Sequence, residues 1–170
     1  MVSKVRVVLF AITLGFGWPV PVFAGVGAPD FKDYSVATDV AVSNHAYVSV
    51  SKGNPIWETA REKMAQHKPN LAGHYVAYSM DCGGGAMCAE ILDVQTGKVV
   101  VGFPDAYVVS DEDEEHNFDF STRADSRLVV VTGIGQGAEK DQNGKVVPMG
   151  FYTRYYDFDG RVLKLIYLKK

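Results

Sequence analysis

Apolar residues follow two different periods along this chain, and the change of period separates a helical part from an extended part. Between Pro55 and His67 they recur every three or four positions, which is the spacing of one buried helix face. Pro55 suits the first helical position, and Asn54 can cap the helix. Beyond Pro69 the period becomes two, which is typical of strands. The pattern predicts one helix near the start of a mainly β domain.

The predicted helix has one apolar face and one charged face. The apolar face consists of Ile56, Trp57, Ala60 and Met64. The charged face consists of Glu58, Arg61, Glu62 and Lys63. Because a helix on the surface of a globular domain buries its apolar face, we expect the charged face to be solvated.

Turn sequences divide the extended part into antiparallel hairpins. A first meander is predicted from strands at residues 73–80, 88–94 and 98–103, and a second from strands at 128–132, 149–158 and 161–168. Residues 90–99 and 154–162 share the order strand, Asp, turn, Gly, basic residue, Val. The fold class we predict is mainly β, with antiparallel meanders that are either blade-like or folded over into a sandwich.

The first 24 residues have the pattern of a secretory signal peptide. Lys4 and Arg6 precede an almost wholly apolar stretch, and Val22-Phe23-Ala24 is a small-residue cleavage site. We therefore expect residues 25–170 to form a single β-rich domain that is periplasmic or secreted. No later stretch is apolar enough to span a bilayer, so we expect no membrane insertion after cleavage.

The only two cysteines, Cys82 and Cys88, flank three consecutive glycines. In an exported protein this predicts one disulfide that closes a tight turn, because glycine accepts the positive φ values such a turn needs. An alternative is a soft-metal or redox site formed by Met80, Met87 and the two cysteines, which would suit copper(I) if the thiols stayed reduced. We expect the disulfide, and therefore no metal and no other cofactor.

No motif predicts catalysis. The chain lacks a G-x-S-x-G elbow, and residues 133–138 match a dinucleotide pattern but lead into a turn sequence instead of a helix. The carboxylates Asp81, Glu90 and Asp93 keep an enzyme acting on envelope polymers as a third interpretation. We predict no catalytic residues.

Five consecutive acidic residues interrupt the second half of the chain. They lie within the run Ser110-Asp111-Glu112-Asp113-Glu114-Glu115-His116. A calcium loop would need glycine where His116 stands, so this run does not match one. One interpretation is a solvated surface loop; the other is an acidic segment that steers and docks a basic partner. We predict the second, with Gly135 and Gln136 as further contact residues.

The charge balance agrees with a protein partner. The chain has 17 basic and 20 acidic residues, and without Lys4 and Arg6 the net charge is −5. Nucleic-acid binding shows as a basic excess or patch, so we expect no nucleic-acid partner.

Three motifs resemble a group of small secreted bacterial β-rich proteins of unassigned function. They are N-x-A-G-H-Y at residues 70–75, the glycine-rich cysteine pair, and D-x-x-T-G-K-V at 93–99. The resemblance implies an exported β-rich domain and brings no catalytic assignment. From export, small size and the acidic run, we expect a non-enzymatic inhibitor or immunity-type protein that covers the active site of a basic cell-wall hydrolase or toxin.

Overall fold

The computed structural model describes residues 27–38, 45–49, 55–109 and 117–170. The predicted signal peptide and the acidic run Ser110–His116 lie outside these residues. The described elements, in chain order, are a 3-10 helix at Phe31–Tyr34, α1 at Pro55–Met64, β1 at Tyr75–Gly83, β2 at Ala86–Asp93, β3 at Lys98–Gly102, β4 at Tyr107–Val108, β5 at Asp119–Ser121, β6 at Leu128–Ile134, β7 at Phe151–Phe158 and β8 at Leu163–Lys169. The predicted mainly β fold with one α-helix is confirmed.

The strands form two antiparallel sheets of four strands each. In the first sheet the order is β1-β2-β3, and β4 pairs with the beginning of β2 while β3 pairs with its end. In the second sheet the order is β5-β6-β7-β8, so neighbours in the sequence are neighbours in space. The predicted β1–β2, β2–β3, β6–β7 and β7–β8 connections are therefore present, whereas the short strands β4 and β5 are additions that the turn sequences did not predict.

The two sheets share one hydrophobic core, and the helix closes a second. The main cluster combines Ala77, Ala89, Ile91 and Phe103 of the first-sheet region with Val129, Val131, Tyr156 and Phe158 of the second sheet. On the other face of the first sheet, α1 packs over a smaller cluster that includes Val76, Tyr78 and Leu92. β1 is thus buried on both faces, and the order of layers is helix, first sheet, second sheet.

The structure corrects the predicted faces of α1 at three residues. Glu58 is half-buried, and its carboxylate accepts hydrogen bonds from Tyr47 and Arg61. Ile56 is exposed: it lies beside Cys82 and Gly83 at the tip of the β1–β2 hairpin, whereas its neighbour Trp57 packs against the second core. Arg61 is half-buried, because the buried carboxylate of Glu90 on β2 binds its guanidinium. The helix also ends at Met64, three residues before the predicted end.

The glycine-rich hairpin between β1 and β2 is longer than predicted, and the predicted disulfide is present. Strand pairing continues past the expected ends, with Met80 opposite Cys88 and Gly83 opposite Ala86. The disulfide Cys82–Cys88 joins the two strands, and the three glycines from Gly83 to Gly85 all have positive φ. By the loop-entropy model so short a closed loop contributes about 2 kcal/mol. The disulfide is compatible with an oxidising compartment.

Residues 90–99 and 154–162, which share a sequence pattern, each form an antiparallel hairpin. One is the β2–β3 hairpin and the other is the β7–β8 hairpin, and each contains a register shift. Asp93 accepts a hydrogen bond from the backbone N–H of Gln95 in the first turn, and Asp159 accepts from Arg161 in the second. Asp159, not the preceding Asp157, is therefore the counterpart of Asp93. Within the described ranges no helix has the length and apolar content needed to cross a bilayer.

Candidate functional site

The predicted contact residues that the structure describes lie where β6 ends. Gly135 is buried and pairs with Tyr107 as an isolated β-bridge, so its role is to anchor the chain. Gln136 is exposed and donates its backbone N–H to the carbonyl of Ala106 at 2.9 Å. These two residues begin a long connection, residues 135–149, which we call the 135–149 loop.

Asp105 fastens the start of the 135–149 loop to the first sheet. The backbone N–H of Gly137 donates to both carboxylate oxygens of Asp105, at 3.1 and 2.9 Å, and the N–H of Ala106 donates to Oδ1 at 2.8 Å. A Cβ atom on Gly135 would lie 2.5 Å from Asp105 Oδ2 and would overlap Glu139. Glycine at position 135 therefore lets two carboxylates approach the same point of the backbone.

Arg154 fastens the middle of the loop to the second sheet. Its side chain lies on the buried face of β7, with Tyr152 and Tyr156 on either side. Nε and Nη2 donate to the two oxygens of Glu139 at 2.9 and 2.5 Å, and Nη1 donates to the carbonyls of Gly133 and Tyr152. This bidentate contact fixes both the position and the orientation of the Glu139 carboxylate.

The outer part of the loop is held by its own hydrogen bonds. Lys140 pairs with Val146, and the carbonyl of Glu139 accepts from the N–H of Val147. At the tip, Asp141 Oδ1 accepts from two backbone N–H groups, those of Asn143 and Lys145. The loop is therefore a small ordered hairpin.

Two large apolar side chains of this loop face solvent. Val146 is 61% exposed and Met149 is 74% exposed. Most of their neighbours in the loop are exposed polar residues or glycines. The loop thus presents apolar side chains on a backbone that is already ordered.

A cavity of about 340 Å³ lies beneath the loop. Its wall combines charged, aromatic and aliphatic groups from both sheets and from the loop. The lining residues are Pro104, Asp105, Tyr107, Ala138, Glu139, Lys140, Arg154, Tyr156, Leu163 and Leu165. The same residues that fasten the loop therefore also enclose a space of ligand size.

Tyr107 is the least satisfied polar residue in this wall. Its side chain is fully buried, and its hydroxyl has no hydrogen-bond partner among the described residues. Burial raises the pKa of Tyr107 well above its usual range, and the nearby Tyr156 hydroxyl contributes to the increase. Tyr107 is accordingly a neutral phenol that can donate or accept one hydrogen bond.

The two carboxylates of the cavity are used to hold the chain. Glu139 accepts from the Arg154 guanidinium with both oxygens, so neither oxygen is directed into the cavity as a free group. Asp105 accepts from backbone N–H groups with both oxygens. This geometry supports binding better than it supports the acid–base pair of a glycoside hydrolase.

The alternative soft-metal site is not assembled in this structure. Cys82 and Cys88 are joined to each other and therefore present no thiolate. His74 lies 3.8 Å from Asp93, between Nε2 and Oδ1, and its ring packs on that of Tyr75. In the part of the chain that the structure describes, no group of three or more His, Cys, Asp or Glu residues could hold a metal ion.

The chain was compared with family models, with curated proteins and with solved structures. None of the three comparisons gives a match. The functional argument therefore rests on the chemistry of the 135–149 loop and the cavity beneath it.

Sequence reasoning missed the four residues that build this site, which are Asp105, Tyr107, Glu139 and Arg154. One signal was present: β7 alternates, and Arg154 falls on the same face as three aromatic residues. A basic residue on the buried face of a strand needs a carboxylate partner, because an unpaired buried charge is costly. The sequence contains no indication that Glu139, fifteen residues earlier, is that partner.

Proposed function

We propose that this protein is a non-enzymatic binding protein of the inhibitor or immunity type, which blocks a basic cell-wall hydrolase or toxin. The 135–149 loop supplies the contact segment that enters the partner's cleft. The acidic run Ser110–His116 supplies charge that attracts and orients the basic partner.

The observation that carries the proposal is the 135–149 loop itself, whose backbone is ordered and whose apolar side chains Val146 and Met149 are exposed. Asp105 and Arg154 fasten the loop from two different sheets, and its outer part closes on itself. A contact segment that is ordered before binding loses less conformational entropy on binding. Val146 and Met149 are the kind of side chain that fills the centre of an interface, with the polar loop residues as its rim.

An inhibition assay tests the role of the loop. We would measure clearing of peptidoglycan suspensions by a panel of basic muramidases and amidases, with increasing amounts of this protein. The double variant Val146→Glu/Met149→Glu should raise the half-inhibitory concentration at least about tenfold, because interface centres tolerate no unpaired charge. The matched control is Val162→Glu, which alters an exposed apolar residue in the β7–β8 turn and should leave inhibition unchanged.

A second variant separates the loop from the acidic run. Charge reversal at Asp111, Glu112 and Glu114 should slow association with the hydrolase and make binding less sensitive to salt, while dissociation changes little. If the reversed protein binds at the same rate at every salt concentration, the acidic run has no role. If no basic hydrolase in the panel is inhibited by wild-type protein, the proposed function is wrong.

A further inference from the structure

The outward face of the second sheet carries two parallel rows of side chains. Buried and half-buried residues alternate along β7, and the half-buried ones face away from the core. One row, in register across all four strands, consists of Ser121, Val130, Tyr155 and Tyr167. The adjacent row consists of Asp119, Thr132, Thr153 and Lys169. Aromatic rings therefore lie beside hydroxyl groups on one face.

A cleft of about 350 Å³ opens at one end of the first row, between the sheet and the N-terminal segment at residues 28–31. The sheet contributes Val130 and Tyr155 to its lining, and the segment contributes Phe31. The segment is attached to the sheet, because the hydroxyl of Ser126 donates to the carbonyl of Phe31 at 2.9 Å. Both sides of the cleft are thus held in place by the fold.

The polar groups of the cleft include both hydrogen-bond donors and acceptors. The Arg123 guanidinium lies 4.7 Å from the centre of the Phe31 ring and supplies donors. The Asp30 carboxylate supplies acceptors, and the Ser121 hydroxyl can act as either. Since one acidic and one basic side chain line the cleft, its charges balance and favour an uncharged polar ligand.

The two rows differ from the apolar patch that a protein partner would need. The large apolar side chains that are most exposed in the described part of the chain all lie outside them. Protein interfaces depend on such side chains at their centre. A sugar ring needs less, because it presents C–H groups on its faces and hydroxyl groups around its edge, which match aromatic rings beside hydrogen-bonding groups.

We propose that this cleft and the adjoining first row bind a neutral glycan chain. One sugar ring packs its C–H face on the ring of Tyr155, and Arg123, Asp30 and Ser121 hydrogen-bond to its hydroxyl groups. The next unit lies toward Tyr167, whose ring centroid is 5.6 Å from that of Tyr155. The ligand is therefore a chain and not a single sugar.

This site is separate from the one beneath the 135–149 loop. Tyr155 follows Arg154 directly on β7, so the two side chains lie on opposite faces of the second sheet. Arg154 anchors the loop, whereas Tyr155 lines the cleft. The assignment goes beyond the inhibitor proposal and stands without it.

The test uses the purified protein with its disulfide intact and three tetrasaccharides. Tetra-N-acetylchitotetraose and cellotetraose are neutral, whereas tetragalacturonate has a carboxylate on every ring. Binding is measured by calorimetry at neutral pH, and nuclear magnetic resonance follows the backbone N–H signals of Val130 and Tyr155. We expect a dissociation constant on the order of 1 mM or below for a neutral chain. The corresponding monosaccharide should bind at least about tenfold more weakly, because it contacts one ring only.

Variants assign the binding to named residues. Tyr155→Ala should weaken binding of the neutral chain about tenfold, whereas Tyr155→Phe keeps the ring and should change it less than about twofold. Arg123→Gln should weaken it about threefold. The matched control is Arg161→Gln, which alters an exposed arginine in the β7–β8 turn and should change nothing.

A second variant keeps the test valid if Tyr155→Ala lowers stability. Ser121→Gln extends an exposed side chain into the cleft and leaves the core unchanged. It should weaken binding at least about fivefold, because the side chain occupies part of the ligand's space. Thermal unfolding of each variant confirms that it is folded.

The outcomes separate this proposal from its alternatives. It is overturned if neither neutral chain binds, or if binding is unchanged in both Tyr155→Ala and Ser121→Gln. Tighter binding of tetragalacturonate than of both neutral chains would indicate an anion site at Arg123 and would also overturn it.

The order of the two neutral chains identifies the source of the glycan. Tighter binding of tetra-N-acetylchitotetraose indicates an acetamido-sugar chain, and tighter binding of cellotetraose indicates an unsubstituted hexose chain. Glycan binding without inhibition of any hydrolase would support this site while the inhibitor proposal fails. If no glycan binds and Tyr155→Ala abolishes hydrolase inhibition, the face belongs to the protein interface and the glycan proposal is wrong.

Discussion

Two arginine–glutamate pairs join separate elements of this molecule, and they differ in which member is buried. In the Arg61–Glu90 pair the carboxylate is the buried member, since the Glu90 side chain is 5% exposed and that of Arg61 is 17% exposed. In the Arg154–Glu139 pair the arginine is buried, at 2% exposure against 18% for the carboxylate. The first pair attaches a helix to a sheet, and the second attaches a loop.

The surroundings of the two pairs differ more than the pairs themselves. Glu90 is fully occupied: Arg61 donates to both its oxygens, and Tyr78 donates to Oε1 at 2.6 Å. Around Arg154 the hydrogen-bond network is incomplete, because the Tyr107 hydroxyl has no described partner. A cavity lies beside this network. A buried pair whose polar atoms are all hydrogen-bonded stabilises the fold, whereas an incomplete network leaves a buried polar group unpaired at a cost in free energy.

The largest expected effect comes from Arg61→Ala. Removing the guanidinium leaves the Glu90 carboxylate buried without a cation, which typically costs about 3–5 kcal/mol of unfolding free energy. Urea denaturation measures the change. The control Lys63→Ala removes an exposed cation from the same helix and should change the free energy by less than about 0.5 kcal/mol. Equal small effects would show that Glu90 turns to solvent, and the contrast between the pairs would disappear.

A smaller effect is expected for Glu139→Ala. It leaves the Arg154 cation buried, but the two backbone carbonyls remain as partners and water can enter the adjoining cavity, so we expect a loss of about 2 kcal/mol. The loop should also become sensitive to trypsin at Lys140 and Lys145, because its middle anchor is lost. Digestion under native conditions reports this change. Glu139→Gln keeps one acceptor and should give an intermediate rate; a loop as resistant as wild type would contradict the anchoring role.

Tyr78 and Tyr107 distinguish the fully hydrogen-bonded network around Glu90 from the incomplete network around Arg154. Tyr78→Phe removes a hydrogen bond to a charged group and should lower the unfolding free energy by about 1.5 kcal/mol. Tyr107→Phe removes a hydroxyl that has no described partner, so stability should stay the same or rise slightly. Each substitution serves as the control of the other, and thermal and urea unfolding measure both. A loss at Tyr107 as large as that at Tyr78 would mean that its hydroxyl is satisfied in solution.

The smallest effect is a shared dependence on alkaline pH. Burial raises the pKa values of both Tyr78 and Tyr107 above the ordinary value of about 10, and the hydrogen bond to Glu90 adds to the increase for Tyr78. Above pH 10 the unfolded chain loses these protons and the folded chain keeps them, so stability falls as pH rises. Each tyrosine should contribute about 0.8 kcal/mol of loss at pH 10.5, and each Phe variant should remove its own share. A pH profile identical in wild type and both variants would contradict this assignment.

Local patterns were sufficient to predict the α-helix and the six longer strands, but not the 3-10 helix or the short strands β4 and β5. The helix follows from a segment of period 3.6 that begins at Pro55, the hairpins follow from alternation interrupted by turn residues, and the disulfide follows from two cysteines around three glycines. The predicted cap, Asn54, lies outside the described residues. These features depend on neighbours within about ten residues, so the chain itself contains the information. The errors at Ile56, Glu58 and Arg61 arose because the helical pattern does not report what the helix packs against.

The candidate site depends on contacts between distant parts of the chain. Asp105 meets Gly137 across 32 positions, and Glu139 meets Arg154 across 15. Each of these residues looks like an ordinary loop or strand residue until β4, β6 and β7 bring them to one cavity. The sequence alone therefore determined the six longer strands, the disulfide and the α-helix, because these follow from local periodicity and turn chemistry. Only the tertiary structure decided which charges are buried, which are paired and which hydroxyl is left without a partner, because burial depends on how two separate sheets face each other.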